Sequence, residues 1–326
     1  MSLDPSLRRP LAILLAGVVL AMVVVPAFGT NFQVTFGFQF LIWICLALSW
    51  SMFSGNSGYA SFGHGVFFGI GTYIAAAVLR ETDLPFVVAL LAAGVVAGLL
   101  ALVVGLAVFA SPRFAGDLFG LITLAMAFIV MTIVSNVSFL DGGTGVFVRE
   151  HVTDMWIGSS TRHLFIVAAL LVLLCGVVSI LASTTRWGAA LRSIRDDEAV
   201  AESLGVPTYR YKVVTFVISG ALAGLAGAPQ AVYLGYVEVG TVFALTIPLF
   251  VIMMAILGGM TSWWGPVVGA AVVVTLREAL LGIGSPEPAQ VIVGLSLVAV
   301  IAVMPHGISG FVSRLSSLKT VRGGAR

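Results

Sequence analysis

Ten long apolar runs decide what this chain can become. They fall at 10–28, 34–53, 62–79, 85–109, 115–138, 163–182, 210–233, 242–258, 264–282 and 289–304. A bilayer core about 30 Å thick is crossed by roughly 20 apolar residues in an α-helix that rises about 1.5 Å per residue. Soluble domains cannot carry such runs, because they average about 25% charged residues; here the figure is 9%. Membrane strands alternate polar and apolar positions over about ten residues, and these runs do not alternate. The residues therefore predict an all-α, polytopic membrane protein of about ten transmembrane helices, forming a single domain over 1–326. Runs 242–258 and 289–304 are short for a crossing, so they are expected to be tilted, broken or partly re-entrant.

Arg8 and Arg9 precede the first run, Leu11 to Phe28, which is longer than the roughly 7–15 residues of a signal-peptide core. It is expected to stay as the first helix. With the N-terminus in the cytoplasm and the crossings alternating, twelve Lys and Arg fall inside. Four fall outside, namely Arg80, Arg149, Arg162 and Arg277. That bias follows the positive-inside rule and puts both termini in the cytoplasm. The basic tail, 307–326, reads as a solvated cytoplasmic flank. Cys45 and Cys175 sit within apolar runs and read as small buried hydrophobes. No Cys, His or acidic spacing suggests a metal site, and nothing points to nucleic acid.

One polar island interrupts the pattern: "TTRWGAALRSIRDDEAVAESLGVPTYRYK", 184–212, holds nine charged residues in 29 positions. Trp187, Leu191 and Ile194 recur at helical spacing, which suits a helix lying on the membrane surface or packed on neighbours. A short helix is expected from Asp196 to Pro207. Asp196 is its N-cap, and Asp197 and Glu198 put negative charge in the first turn. Gly205 suits the C′ position and Pro207 blocks continuation. So short a helix needs something to pack against. It is either a solvated connector or a docking element. In the second case Ala199, Val200, Ala201 and Leu204 fill a partner's groove, and Arg195, Asp197, Glu198 and Glu202 make the rim.

The island resembles the cytoplasmic loop of the branched-chain amino-acid ABC importer permeases, M-type subunit. That loop carries an R-x-G-x-A-x-x-A-I-R-D-x-E-x-A-A-x-x-x-G pattern. Arg186, Gly188, Ala190, Ile194, Arg195, Asp196, Glu198, Ala201 and Gly205 match it, with Ser193 in place of a small residue. Further blocks resemble the family in order: "SGNSGYASFGHGVFFGIGTYIAA", "RFAGDLFGLITLAMA", "DGGTGV", "KVVTFVISGALAGLAGA", "ILGGMTSWWGPVVGAAVV" and "MPHGISG". The similarity runs from about 35 to 311. Asp141, where the family often has Thr, and Pro229–Gln230, inside an otherwise small and apolar helix, depart from it.

The resemblance implies an ABC importer permease bundle in the bacterial inner membrane, with 184–209 as the ATPase-coupling loop. Arg195, Asp196, Asp197, Glu198, Ala201 and Gly205 are the coupling residues. The implied partners are a second homologous permease, two cytoplasmic ATPase subunits, a periplasmic or lipid-anchored solute-binding protein, the small-molecule solute and the bilayer. The chain has no G-x-x-x-x-G-K-[ST] phosphate loop. ATP and Mg are therefore expected on the ATPases, with no cofactor bound directly and no enzyme activity in this subunit. The implied solutes are branched-chain or related neutral amino acids. A urea or short-amide permease and a stand-alone secondary transporter are the alternatives.

Inside the runs, polar residues are few. His64, Thr123, Asn136 and Gln230 are candidates for the translocation path or its gating. His64 either fixes its loop by bonding a facing carbonyl or lines the path. Asp117, Glu238, Arg277 and Glu278 are candidate intramembrane or boundary charges; deep charges tend to mark a pathway. Gly65 and Gly69, Gly220, Gly224 and Gly227, and Gly265 and Gly269 fall at the spacing that lets membrane helices approach closely. The external loop, about 139–162, is a plain connector or a contact for the binding protein.

Overall fold

The computed structural model describes residues 5–111, 116–140, 143–148, 160–281, 294–295 and 307–310. The chain starts with α1 (Pro5–Phe28) and α2 (Asn31–Trp50). Thr30 and Gln33 cap the start of α2 reciprocally, Gln33 N donating to Thr30 Oγ1 at 3.3 Å and Thr30 N to Gln33 Oε1 at 2.9 Å. A π-helical turn, Ser51–Gly55, extends α2. Then come α3 (His64–Glu81), α4 (Phe86–Phe109), α5 (Asp117–Asn136) and α6 (Ser160–Thr184). The polar island forms α7 (Arg186–Asp196) and α8 (Glu198–Ser203). The chain returns through α9 (Thr208–Leu234), α10 (Val239–Val242), α11 (Thr246–Gly258) and α12 (Gly265–Leu281). One two-residue antiparallel ribbon, β1 (Val146–Phe147) with β2 (Tyr236–Val237), closes the end of the bundle opposite α7 and α8.

Nine of the ten apolar runs coincide with helices; the tenth, 289–304, lies outside the described residues, as does most of the tail at 307–326. Seven helical stretches among the described residues are long and apolar enough to cross a membrane: α1, α2 with its π turn, α4, α5, α6, α9 and the pair α10–α11. Of the three outcomes its length left open, run 242–258 shows a break, the non-helical step between Val242 and Thr246.

The buried axis is α9, which packs on α3, α4, α2 and α6. Small residues make this possible. A Cβ on Gly227 would stand 2.5 Å from the Phe68 carbonyl and the Thr72 amide of α3. Its neighbours Gly220 and Gly224 face Ala101 and Ala97 of α4. Gly65 and Gly69 meet Pro248 and Phe243, while Gly265 and Gly269 press on the α11–α12 turn and on the Met254 carbonyl. Lipid tails are as apolar as the helices, so such close van der Waals contact, not hydrophobic exclusion, holds the bundle. At the periphery α1 rests on α6, and only 11% of its spanning stretch is buried, against 67% for α9.

Candidate functional site

The amphipathic face of α7 turns inward. Gly188, Leu191 and Ile194 are buried, Trp187 Nε1 donates to Thr215 Oγ1 of α9 at 2.8 Å, and the Trp187 and Tyr211 rings lie 4.5 Å apart. One helix capped by Asp196 was expected beyond it; the structure differs by one residue. The α7 ladder still holds Asp197 N on Ser193 O at 3.1 Å, so Asp196 closes α7. Asp197, extended at φ −161°, then caps α8 by accepting from Val200 N at 3.0 Å. At the other end Gly205 adopts φ +85°. Gly205 N bonds Glu202 O at 2.9 Å and Val206 N bonds Ala201 O at 3.1 Å, the paired pattern that a left-handed C′ glycine allows.

Only Ala201 of α8 is buried. Val200 and Leu204 are 52% and 77% exposed, and Asp196, Asp197, Ala199 and Glu202 are exposed around them. The outward face is thus a small apolar patch edged by acids.

Arg195 and Glu198, which the sequence placed on that rim, instead tie the island to the bundle. Arg195 donates to the Gly55 carbonyl at 2.9 Å, and its stem covers Gly58, where a Cβ would stand 2.9 Å from Arg195 Cγ. Gly58 also needs its φ of +79°. The Glu198 carboxylate accepts from the Tyr59 hydroxyl and pairs with the Lys212 ammonium of α9. That ammonium also donates to the Tyr59 oxygen at 3.3 Å and lies 5.0 and 5.2 Å from the Tyr59 and Phe109 ring centroids. Lys212 is 3% exposed. Burial, and then the Glu198 hydrogen bond and charge, push the Tyr59 hydroxyl above its ordinary range. A raised phenol keeps its stabilising donor at every pH below the ordinary value of 10 and loses it only as pH rises through the shifted one.

Below this triad the rings of Phe53, Phe109, Phe119 and Phe216 knit together the ends of α2, α4, α5 and α9, with centroids 5.0–5.9 Å apart. The loop 56–63 is pinned in front of them. Trp50 Nε1 donates to Ser61 O at 2.7 Å, and Phe62 N donates to Thr123 Oγ1 at 3.0 Å. His64 Nε2 lies 2.6 Å from Ser219 Oγ, which donates to Ser49 O at 2.8 Å. His64 therefore reaches a backbone carbonyl through a serine. The turn joining α11 to α12 touches the same region, where Ser51 Oγ donates to Met260 O at 2.8 Å.

Gln230 stands apart from these anchors. It lines a cavity of about 340 Å³ between α2, α9, the α10–α11 break and α12. Gln39 Nε2 donates to Gln230 Oε1 across it at 3.3 Å, and Trp43, Thr241, Thr246, Phe250 and Arg277 contribute to its wall. Thr123 and His64 are not among its lining residues; Thr123 accepts from Phe62 of the 56–63 loop, and His64, at the start of α3, is bonded to Ser219 of α9. Asn136 bonds Thr132 O of its own helix at 2.8 Å and is exposed. Asp141 lies outside the described residues. Sequence reasoning gave no role to Tyr59 or Lys212, although both stand inside quoted blocks. A lysine opening an apolar helix fourteen residues after Glu198 was the available signal.

Residues 32–301 match the family described as branched-chain amino acid transport system / permease component. The chain is 27% identical to the high-affinity branched-chain amino acid transport system permease protein LivM of Salmonella typhimurium, over 94% of this chain and 76% of that protein. It is 28% identical to LivM of Escherichia coli K12, over 82% and 68% of the respective chains. The similarity extends to LivH of Salmonella typhimurium, 27% identical over 81% of this chain and 90% of that one. No solved structure matches.

Proposed function

This chain belongs to the branched-chain amino acid transport permease family, a family of multi-pass membrane transport subunits, and on that premise we propose that it is the membrane-spanning half of an ATP-driven importer for branched-chain or related neutral amino acids. A second homologous permease completes the path. Two ATPase subunits carrying ATP and Mg act from the cytoplasm on α7–α8, and a periplasmic or lipid-anchored binding protein delivers solute from the other side. Both termini lie in the cytoplasm of a bacterial cell, in its inner membrane. Alternating access follows when closure of the ATPases displaces α8.

The observation that best supports this reading is the two-sidedness of α8. Outward it presents Val200 and Leu204 within an acidic edge. Inward it is bonded through Glu198 to Lys212 and Tyr59. A partner that grips the outer face therefore pulls on α9 and on the 56–63 loop. Val200→Arg with Leu204→Asp leaves every inward bond in place. Affinity purification of the permease should then lose its ATPases while yielding the same amount of folded permease. Co-purification at the unaltered level would remove the docking role.

A further inference from the structure

Among the residues lining the 340 Å³ cavity, Arg277 carries the one fixed charge. No carboxylate stands in the wall, and among the described residues Arg277 makes no ion pair; its guanidinium carbon sits 5.7 Å from the centroid of the Phe250 ring. Arg277 is exposed near the C-terminal end of α12, at the cavity's edge, and a cation on a membrane helix is tolerated where it faces water, a counter-charge or a passing solute. The wall also contains the backbone break between α10 and α11. Non-helical backbone is tolerated at membrane depth where it is packed in protein or borders a wet cavity. The volume falls in the range of small-molecule sites, roughly 300–1,000 Å³.

We infer that this cavity is a stopping place for the solute's carboxylate, with Arg277 as its anchor. The inference rests on the reading of the chain as an amino-acid permease, and it names how such a solute is held. The guanidinium fork grips a carboxylate with two parallel hydrogen bonds. The Gln39–Gln230 pair and the Thr241 and Thr246 hydroxyls supply neutral oxygens to accept from the ammonium group. Trp43 and Phe250 offer an apolar wall to the aliphatic side chain. The cavity selects against urea and amides, which bring no anionic group, and repels cationic solutes.

The test uses the complex of both permeases with their ATPases. The two native cysteines of this chain are buried, so Ala244→Cys, on the cavity wall, gives it one accessible thiol, whose alkylation is followed by peptide mapping of this chain. Without binding protein, leucine should slow alkylation of that thiol by a charged reagent, and leucinamide should not. Adding Arg277→Gln should abolish the protection, and Arg277→Lys should retain part of it. With binding protein present, Arg277→Gln should lower leucine uptake at subsaturating concentration roughly tenfold or more, the effect of losing a charge-assisted pair. Stimulation of ATP hydrolysis by loaded binding protein should persist. Equal protection by leucine and leucinamide, or protection and uptake that survive Arg277→Gln, would overturn the inference and leave the permease reading standing. Loss of ATPase stimulation in Arg277→Gln would also overturn it, since a structural defect would then explain the lost uptake. Failure of the unaltered complex to take up leucine or any other α-amino acid would bring down the permease reading, and the inference with it.

Discussion

Lys212 shows how much one position can constrain a fold. At 3% exposure its ammonium has left water, and the Glu198 carboxylate and Tyr59 oxygen replace the lost solvation. Breaking a buried pair by removing one partner costs about 3–5 kcal/mol, whereas replacing both by apolar groups is often near neutral. Glu198 is about a quarter exposed, so the low end of that range applies. Glu198→Leu alone should lower the detergent-solubilised Tm by several degrees, and adding Lys212→Met should restore most of it. Strictly additive losses in a double-mutant cycle would mean that the two do not interact. At this scale the sequence was half legible. The acids, Gly205 and Pro207 announced a short capped helix. The choice between Asp196 and Asp197 as cap depended on α7 keeping its backbone ladder one residue longer. The direction of Glu198 depended on a lysine from another helix arriving beneath it.

Elements tell a different story, because periodicity and length are properties the chain carries locally. Nine apolar runs became helices, and the short one at 242–258, expected to be tilted, broken or partly re-entrant, has a non-helical step near its start. The 13 residues of α11 span about 20 Å, well under a bilayer core of about 30 Å; only together with α10 and the break, as Val239–Gly258, is the stretch long enough to cross. The π turn at Ser51–Gly55 had no signal, since it answers to contacts with Met260 and Arg195 that lie far along the chain. Close packing of α11 on α12 yields a prediction at this level. Gly269 lies against the Met254 carbonyl, a backbone atom that no side-chain rotation can move aside. Gly269→Val should prop the two helices apart and cost several kcal/mol, as overpacking and strain do. Size-exclusion profiles and thermal unfolding would register it. Gly17, whose surroundings are open, should accept the same change with little effect on either measurement.

The whole molecule has two unlike ends. One carries α7, α8, the 56–63 loop and the α11–α12 turn; the other carries the β1–β2 ribbon. Under the proposed function, and on the charge bias along the chain, the first end is the one expected to face the cytoplasm. Single cysteines at Ala199 and Phe147, both exposed, test it directly. In intact cells a membrane-impermeant maleimide should label the Phe147→Cys protein and spare the Ala199→Cys protein until the cells are opened. The reverse pattern would invert the topology and detach α8 from any cytoplasmic motor. The general architecture was readable from hydropathy alone, but the cavity was not. Gln39, Gln230 and Arg277 are 191 and 47 residues apart along the chain, and only the meeting of α2, α9 and α12 unites them.

The stretch 51–63, held by Arg195 and Glu198 of the island at Gly55, Gly58 and Tyr59 and by Met260 of the α11–α12 turn at Ser51, carries a lesson for protein engineers. The proposed coupling segment is not a detachable cassette. Swapping 184–209 for the same stretch of a distant homologue should give a chimaera that assembles with the donor's motor yet transports poorly. Transport should return when the residues facing the graft, Tyr59, the Gly55–Gly58 turn and Lys212, are exchanged along with it. Ancestry would then be inherited by that whole seam, with its members changing together or not at all.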